Sequence, residues 1–272
     1  MTRWMVTLAV VVLGAAGTVQ GWTAVDDFES YASGSQLDGQ GSWVRTRTPA
    51  PPAVAAFTVI ADPTAAGNQI LHVTDDTHWG DSTIAQPLAM DADGVTTLSF
   101  RMYALSKDVS TGTVHDLGVG MSNAALGATW SNLQGWAMLW DGADVPPLDI
   151  RSRNGASYTD LAAATEGVWY QLWLVYNMSS TVADTYDIYI QGGTEWATQT
   201  QIANDFLFRT VAGVAQLLSL EIITGEKSPG EYVDDIYVAS GQDLSNPIPE
   251  PATMGLLGLG LAGLALKRRG RK

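Results

Sequence analysis

The sequence predicts an all-β body of about residues 22–245, folded as a two-sheet antiparallel sandwich. Three observations lead there. Short runs of alternating polarity are separated by clusters of Gly, Asp, Asn, Pro and Ser, the grammar of strands and turns. Only Asp160–Thr165 offers a helical pattern, and it is short. Charged residues make up 15% against 46% hydrophobic, enough apolar side chain for a sizeable core.

In chain order, Met1–Gly21 carries one early charge, Arg3, then an apolar run from Trp4 to Ala16, then Val19-Gln20-Gly21. That order matches a secretory signal peptide cut between Gly21 and Trp22. Candidate strands follow at Ala56–Ala61, Gln69–Thr74, Thr96–Ala104, Val114–Met121, Gly135–Trp140, Ile150–Arg153, Trp169–Asn177, Tyr186–Gln191, Leu217–Thr224 and Tyr232–Ala239. Along 168–177 the residues Val168, Tyr170, Leu172, Leu174 and Tyr176 share one face, as Tyr186, Ile188 and Ile190 do next. The two runs read as a hairpin with that face in the core. No repeat or internal linker divides the body, so the expected organisation is a signal peptide (1–21), one domain (22–245) and a C-terminal segment (246–272).

The runs Trp169-Tyr170-Gln171-Leu172, Tyr186–Ile190 with Gly192-Gly193, and the closing Tyr232-Val233-Asp234-Asp235-Ile236-Tyr237-Val238 resemble concanavalin A-like and laminin-G-like jelly rolls. The opening Asp26-Asp27-Phe28-Glu29-Ser30-Tyr31 with Gly41-Ser42-Trp43 is similar also to the first strand of β-sandwich carbohydrate-binding modules. The resemblance implies a jelly roll with its first and last strands adjacent. It does not choose among lectins, adhesins, hydrolases and scaffolds, which share the architecture.

Composition excludes several chemistries. No cysteine is present, so disulfides, thiolate metal sites and thiol nucleophiles are absent. The chain carries 28 Asp and Glu against 14 Lys and Arg, and five of those bases follow Leu266. The body therefore stands at roughly −20, which argues against nucleic acid as a partner. His72, His78 and His115 lack zinc-motif spacing, and no Gly-x-Ser-x-Gly, phosphate loop or dinucleotide fingerprint occurs. Laminarinase-like glycosidases of this architecture carry Glu-x-Asp-x-(x)-Glu on one strand. Glu221-Ile222-Ile223-Thr224-Gly225-Glu226 has no Asp between its acids. No catalytic residue is assigned and the expectation is a non-enzyme. The alternative is a secreted glycan-active hydrolase whose carboxylates come from separate strands.

Two constellations are candidate sites. Asp27 and Glu29 at the opening, with Asp234 and Asp235 at the close, converge if the terminal strands pair, and calcium suits such a group of oxygens. The rival reading is exposed turn acids on an acidic protein. Ten tryptophans are available for stacking on sugars, and Trp79, Trp136 and Trp140 are the chosen candidates. Trp136, Met138 and Trp140 share one face of a strand, a pattern that a packed core also produces.

The carboxyl end combines Pro249-Glu250-Pro251, an uncharged stretch Ala252–Leu266, and the basic residues Lys267, Arg268, Arg269, Arg271 and Lys272. As a helix the stretch is about 22 Å long, short of a ~30 Å hydrocarbon core. The basic end is expected in the cytoplasm and the acidic body outside. This order closely resembles the PEP-CTERM sorting domain of Gram-negative bacteria. That resemblance implies export, inner-membrane anchoring through the C-terminal helix, and processing near Pro249-Glu250-Pro251 by an exosortase-like membrane enzyme. It also implies display or release into an exopolysaccharide or biofilm matrix, with extracellular polysaccharide as the expected partner.

Overall fold

The computed structural model describes residues 21–47, 56–75, 82–106, 113–126, 132–142, 145–210, 216–225 and 228–247. The signal-peptide run, Trp79, the Pro249-Glu250-Pro251 motif, the Ala252–Leu266 helix and the basic end lie outside them. Among the described residues no helix is long and apolar enough to cross a membrane.

Fifteen strands among the described residues form two antiparallel sheets: β1 Thr23–Asp26, β2 Val44–Arg47, β3 Ala56–Ala61, β4 Gln69–Asp75, β5 Ser82–Pro87, β6 Gly94–Ala104, β7 Asp116–Ser122, β8 Leu133–Gly142, β9 Val145–Asn154, β10 Ser157–Ala163, β11 Trp169–Met178, β12 Thr185–Gly192, β13 Trp196–Leu207, β14 Ser219–Thr224 and β15 Ser228–Ser240. Sheet A runs β13-β12-β11-β6-β15-β4-β3, with β1 also on β15; sheet B runs β10-β9-β8-β7-β14-β5-β2. The all-β two-sheet sandwich expected from the sequence is therefore the fold.

Alternation decides which side of each strand meets the core. In β11 and β12, Tyr170, Leu172, Leu174, Tyr176, Tyr186, Ile188 and Ile190 are buried together, and Leu172 lies opposite Ile190 in the expected hairpin. Sheet B supplies Leu117, Val119, Met121, Leu220 and Ile222 to the same core. A smaller cluster of Leu133, Trp136, Met138 and Ile223, with Trp140 against it, sits on the other face of sheet B. Trp136, Met138 and Trp140 do share one face, and it points away from the main core.

The segment Asp160–Thr165, read as helical, is the end of β10 and its exit turn. Its residues pair with β9, Asp160 opposite Arg151 and Ala162 opposite Ile150. Sheet hydrogen bonding overrides a weak local helical preference at an edge. Strands β1, β2, β5, β10 and β13 lay outside the ten candidate strands. The longest of them, β13, is rich in Thr and Gln and largely solvent-facing, so it shows little hydrophobic alternation.

The terminal strands do lie side by side. β15 pairs with β4 over its first half, Tyr232 opposite His72, and with β1 over its second, Ile236 opposite Asp26. Between the halves is a β-bulge, with Asp235 at φ 52° and the β6 register broken between Asp234 and Tyr237. A bulge redirects side chains, and here it brings two consecutive carboxylates to one guanidinium.

Candidate functional site

Three places in the sandwich gather chemistry. The first is the closing bulge. Arg101 of β6 stands opposite Asp234, and one of its nitrogens lies 2.5 Å from both Asp234 and Asp235. Asn68 also donates to Asp234 at 2.9 Å. Burial first, then the charge of Asp235, raises the Asp234 carboxyl above the usual range; burial is also the main cause raising Asp235. The charges of Asp27 and Glu29 also raise Asp235. Each of the two has a local partner: Asp27 accepts from the Glu29 amide at 3.2 Å, and Glu29 from the Gln69 amide at 2.8 Å. The countercharge at the centre is Arg101.

Sequence reasoning missed Arg101, because nothing in its local pattern says that β6 is the neighbour of β15. It read Asp26 only as one acid of the opening motif. That carboxylate accepts from the Phe28 amide at 2.8 Å, the Tyr31 hydroxyl at 2.7 Å and the Trp43 indole at 2.7 Å. Phe28 is held at φ 57° and stacks on Trp43 with ring centres 6.4 Å apart. Trp43 is thus core, and the opening motif is a structural hook.

The second place is the outward face of sheet B. On β9 and β10, Arg151 stands opposite Asp160 and Arg153 opposite Tyr158. The Arg151 guanidinium lies 4.7 Å from the Trp140 ring centre and 5.7 Å from that of Tyr158; Arg153 lies 3.8 Å from Tyr158. Arg151 Nε donates to Asp160 at 2.5 Å. Trp140, Arg151, Tyr158 and Arg153 thus form a row in which aromatic rings and guanidinium groups alternate. Tyr158 is 49% exposed. Trp136 is fully buried beside the row, its ring edge-on to Tyr158 at 5.9 Å, so it braces the row from below. Trp196, another tryptophan of the body, packs against the main core and donates to the Ala163 carbonyl at 3.1 Å.

Further across this face β7 presents Gly118 and Gly120. A Cβ at Gly120 would collide with the Gly135 carbonyl and Trp136. Opposite Gly120 on β14 is Glu221, which is fully buried. Ser219 donates to one of its oxygens at 2.8 Å, and the other has no hydrogen-bond partner. Burial pushes this carboxyl up to about 7 against the partial offset of the Ser219 bond.

The third place is the seam at one end of the sandwich. His115, just before β7, is fully buried. Its Nδ1 lies 3.1 Å from Glu231 Oε1 and its Nε2 3.3 Å from Glu166 Oε1. The His115 amide donates to Asp141 Oδ1 at 2.6 Å. One ligating atom from each of His115, Asp141 and Glu166 lies within 4.8 Å of the others, a grouping able to hold a metal ion. No spacing signal announces it, since the residues come from three separate segments.

Comparison with known proteins supplies two findings. Residues 247–269 match the family model of the PEP-CTERM protein-sorting motif. Among solved structures, the alginate lyase Aly36B in complex with alginate tetrasaccharide is similar, with a TM-score of 0.50 and 13% identity over 83% of this chain and 99% of that one. A sialidase gives a TM-score of 0.49 at 12% identity, covering 81% of this chain, which spans only 18% of the sialidase. Lectin I-B4 of Griffonia simplicifolia gives 0.45 at 11% identity over 79% of this chain and 98% of the lectin. At 13% identity the likeness to the alginate lyase shows the sandwich fold and nothing of ligand or reaction. No curated protein matches the sequence.

The sorting motif marks an exported protein, anchored at the membrane before processing.

Proposed function

We propose that this chain is a non-enzymatic glycan-binding or structural protein of an extracellular polysaccharide matrix. In this reading an exosortase-like enzyme processes it at Pro249-Glu250-Pro251, and it reaches the cell surface or medium. The observation that carries the binding role is the row of Trp140, Arg151, Tyr158 and Arg153 on the outward face of sheet B. An exposed aromatic ring stacks on the apolar face of a sugar, and flanking guanidinium groups donate to its hydroxyls. Arg151 and Arg153 are matched on the same face by Asp149 and Asp160. The row is therefore balanced in charge, while the body is strongly acidic. Both features favour a neutral, hydroxyl-rich glycan over a polyanion.

One observation favours the rival enzymatic reading. Glu221 is a buried carboxyl with a pKa of about 7, a value suited to proton transfer. Glycoside hydrolysis needs a second carboxyl about 5–10 Å away. Among the described residues the nearest acid positions on that face are Asp116, four residues along the adjacent β7, and Asp149, three strands across on β9. The backbone separation is roughly 14 Å to Asp116 and roughly 20 Å to Asp149, which also lies four residues along the sheet. This spacing supports binding over hydrolysis.

Screening the chain on a glycan array, with a parallel assay for new reducing ends and unsaturated sugar products, tests both readings. Retention of neutral glycans without turnover is expected. Turnover would overturn the non-enzymatic assignment, and neither binding nor turnover would leave a structural role. For sorting, Pro249 and Pro251 replaced together by Ala should give unprocessed, membrane-retained protein; normal release would refute it.

Calcium at Asp27, Glu29, Asp234 and Asp235 stands as a further proposal. The cation would have to displace Arg101 from the two bulge carboxylates, or bind on the side of Asp235 that faces Asp27 and Glu29.

A further inference from the structure

We propose that His115, Asp141 and Glu166 bind a divalent transition metal of the zinc type, with Glu231 holding the imidazole from behind. The site is separate from the glycan row and from the acidic bulge. Its backbone is fixed by reciprocal bonds: the Asp141 amide donates to the His115 carbonyl at 3.2 Å while the His115 amide donates to the Asp141 carboxylate. Glu166 is carried by the turn between β10 and β11, which Gly167 pins to the Ala104 carbonyl at 2.9 Å.

The imidazole geometry suits ligation. A metal-binding histidine commonly donates its other ring N–H to a carboxylate, which fixes the tautomer and makes the free nitrogen a better ligand. Here Nδ1 faces Glu231 at 3.1 Å. Glu231 alternates with the core residue Val233, so it points between the sheets, and the Ser228 hydroxyl holds its other oxygen. Nε2 is left facing Glu166 at 3.3 Å. Zinc bonds of about 2.0–2.2 Å set at a tetrahedral angle put neighbouring ligand atoms roughly 3.4 Å apart. The His115–Glu166 separation is already close to that edge, and the Asp141 ligand atom lies within 4.8 Å of both.

One nitrogen with carboxylate oxygens favours zinc over calcium, which takes oxygen ligands alone. Glu166 has a side chain 30% exposed and His115 has none, so the ion would enter past Glu166. Once bound, it would join the starts and ends of β7 and β8 to the β10–β11 turn and, through Glu231, to sheet A.

The test uses the untagged full chain in detergent, stripped with a chelator and titrated with Co²⁺, followed by displacement with Zn²⁺. A saturable one-to-one visible absorption band, lost on zinc addition, is expected. Glu166→Gln, at the half-exposed edge, should abolish the band with the circular dichroism spectrum unchanged. Glu231→Gln should weaken the affinity about 10–100-fold. A folded wild-type chain with no saturable band, or an undiminished affinity in Glu166→Gln, would overturn the proposal and leave His115 as a buried hydrogen-bonding residue of the seam.

Discussion

Replacing Glu221 by Gln should make the body more stable at alkaline pH and leave it nearly unchanged in acid. The carboxyl is fully buried on β14, with one oxygen bonded to Ser219 and the other unpartnered. Burial raises it from 4.5 to about 7. Between these values the folded protein binds a proton that the unfolded chain has released, so stability falls as pH rises through about 7. The contribution is fully present below about 4.5. A shift of about 2.5 units at about 1.4 kcal/mol each corresponds to roughly 3 kcal/mol lost by the alkaline limit. Gln keeps the shape and the Ser219 contact but cannot ionise. Urea unfolding of residues 22–247, which hold both core clusters, would be compared at about pH 5 and about pH 8.5. The variant should gain about 2–3 kcal/mol on wild type between the two pH values. Other titrating groups cancel in that difference. A difference constant across the range would mean that Glu221 reaches solvent in the folded state, and the reasoning would fail.

Four other perturbations follow from the geometry. Asp26→Ala removes the acceptor of three hydrogen bonds and leaves the buried Trp43 indole N–H without one; unfolding in urea should show a loss of about 3 kcal/mol. Arg101→Gln strips the countercharge from Asp234 and Asp235, so its melting temperature should fall and should respond to millimolar calcium more than that of wild type. Tyr158→Ala, half-exposed on an edge strand, should cut glycan retention by about 10-fold or more with the melting temperature nearly unchanged. A flexible Gly/Ser insertion after Asn246 should speed processing at Pro249-Glu250-Pro251, measured by pulse-chase; an unchanged rate would show that the body does not restrain the motif.

What the sequence disclosed depended on whether a feature was local. The β11–β12 hairpin was legible because Tyr170, Leu172 and Leu174 alternate against Ile188 and Ile190, so period and burial agree. The pairing of β1 with β15 followed from resemblance rather than pattern. Edge strands such as β10 and β13 were harder, since one or both faces meet solvent and polar residues blur the period. The sites were less legible still. Arg101 meets Asp234 across 133 positions of sequence, and His115 meets Glu231 across 116. Such pairs are set by strand order, and no spacing rule reports strand order. Trp136 and Trp140 illustrate the same limit within one strand: both face outward on β8, yet one is buried beneath Tyr158 and the other lies beside a guanidinium.

The end of the body bears on how the sorting motif is presented. After β15 the chain does not leave the sheet directly. Gly241 donates to the Val95 carbonyl at 2.7 Å and Thr97 donates to the Gly241 carbonyl at 2.7 Å. Gln199 then holds the Leu244 carbonyl at 2.8 Å, and Trp173 holds that of Ser245 at 3.2 Å. Trp22, at the other end of the body, donates to the Ser245 hydroxyl at 3.0 Å. Sheet A therefore binds the chain across its outer face up to Ser245, and Pro249 stands only four residues further. Four extended residues span at most about 14 Å. An enzyme acting at Pro249-Glu250-Pro251 must then work close against this face, or wait for the strap from Gly241 to Ser245 to peel away. The strap is held by several hydrogen bonds at the periphery of the sandwich, of the kind that open locally without global unfolding. On the proposed sorting reading, presentation of the motif would be coupled to the folded body, since the face that docks the strap exists only when β6, β11 and β13 have assembled into sheet A.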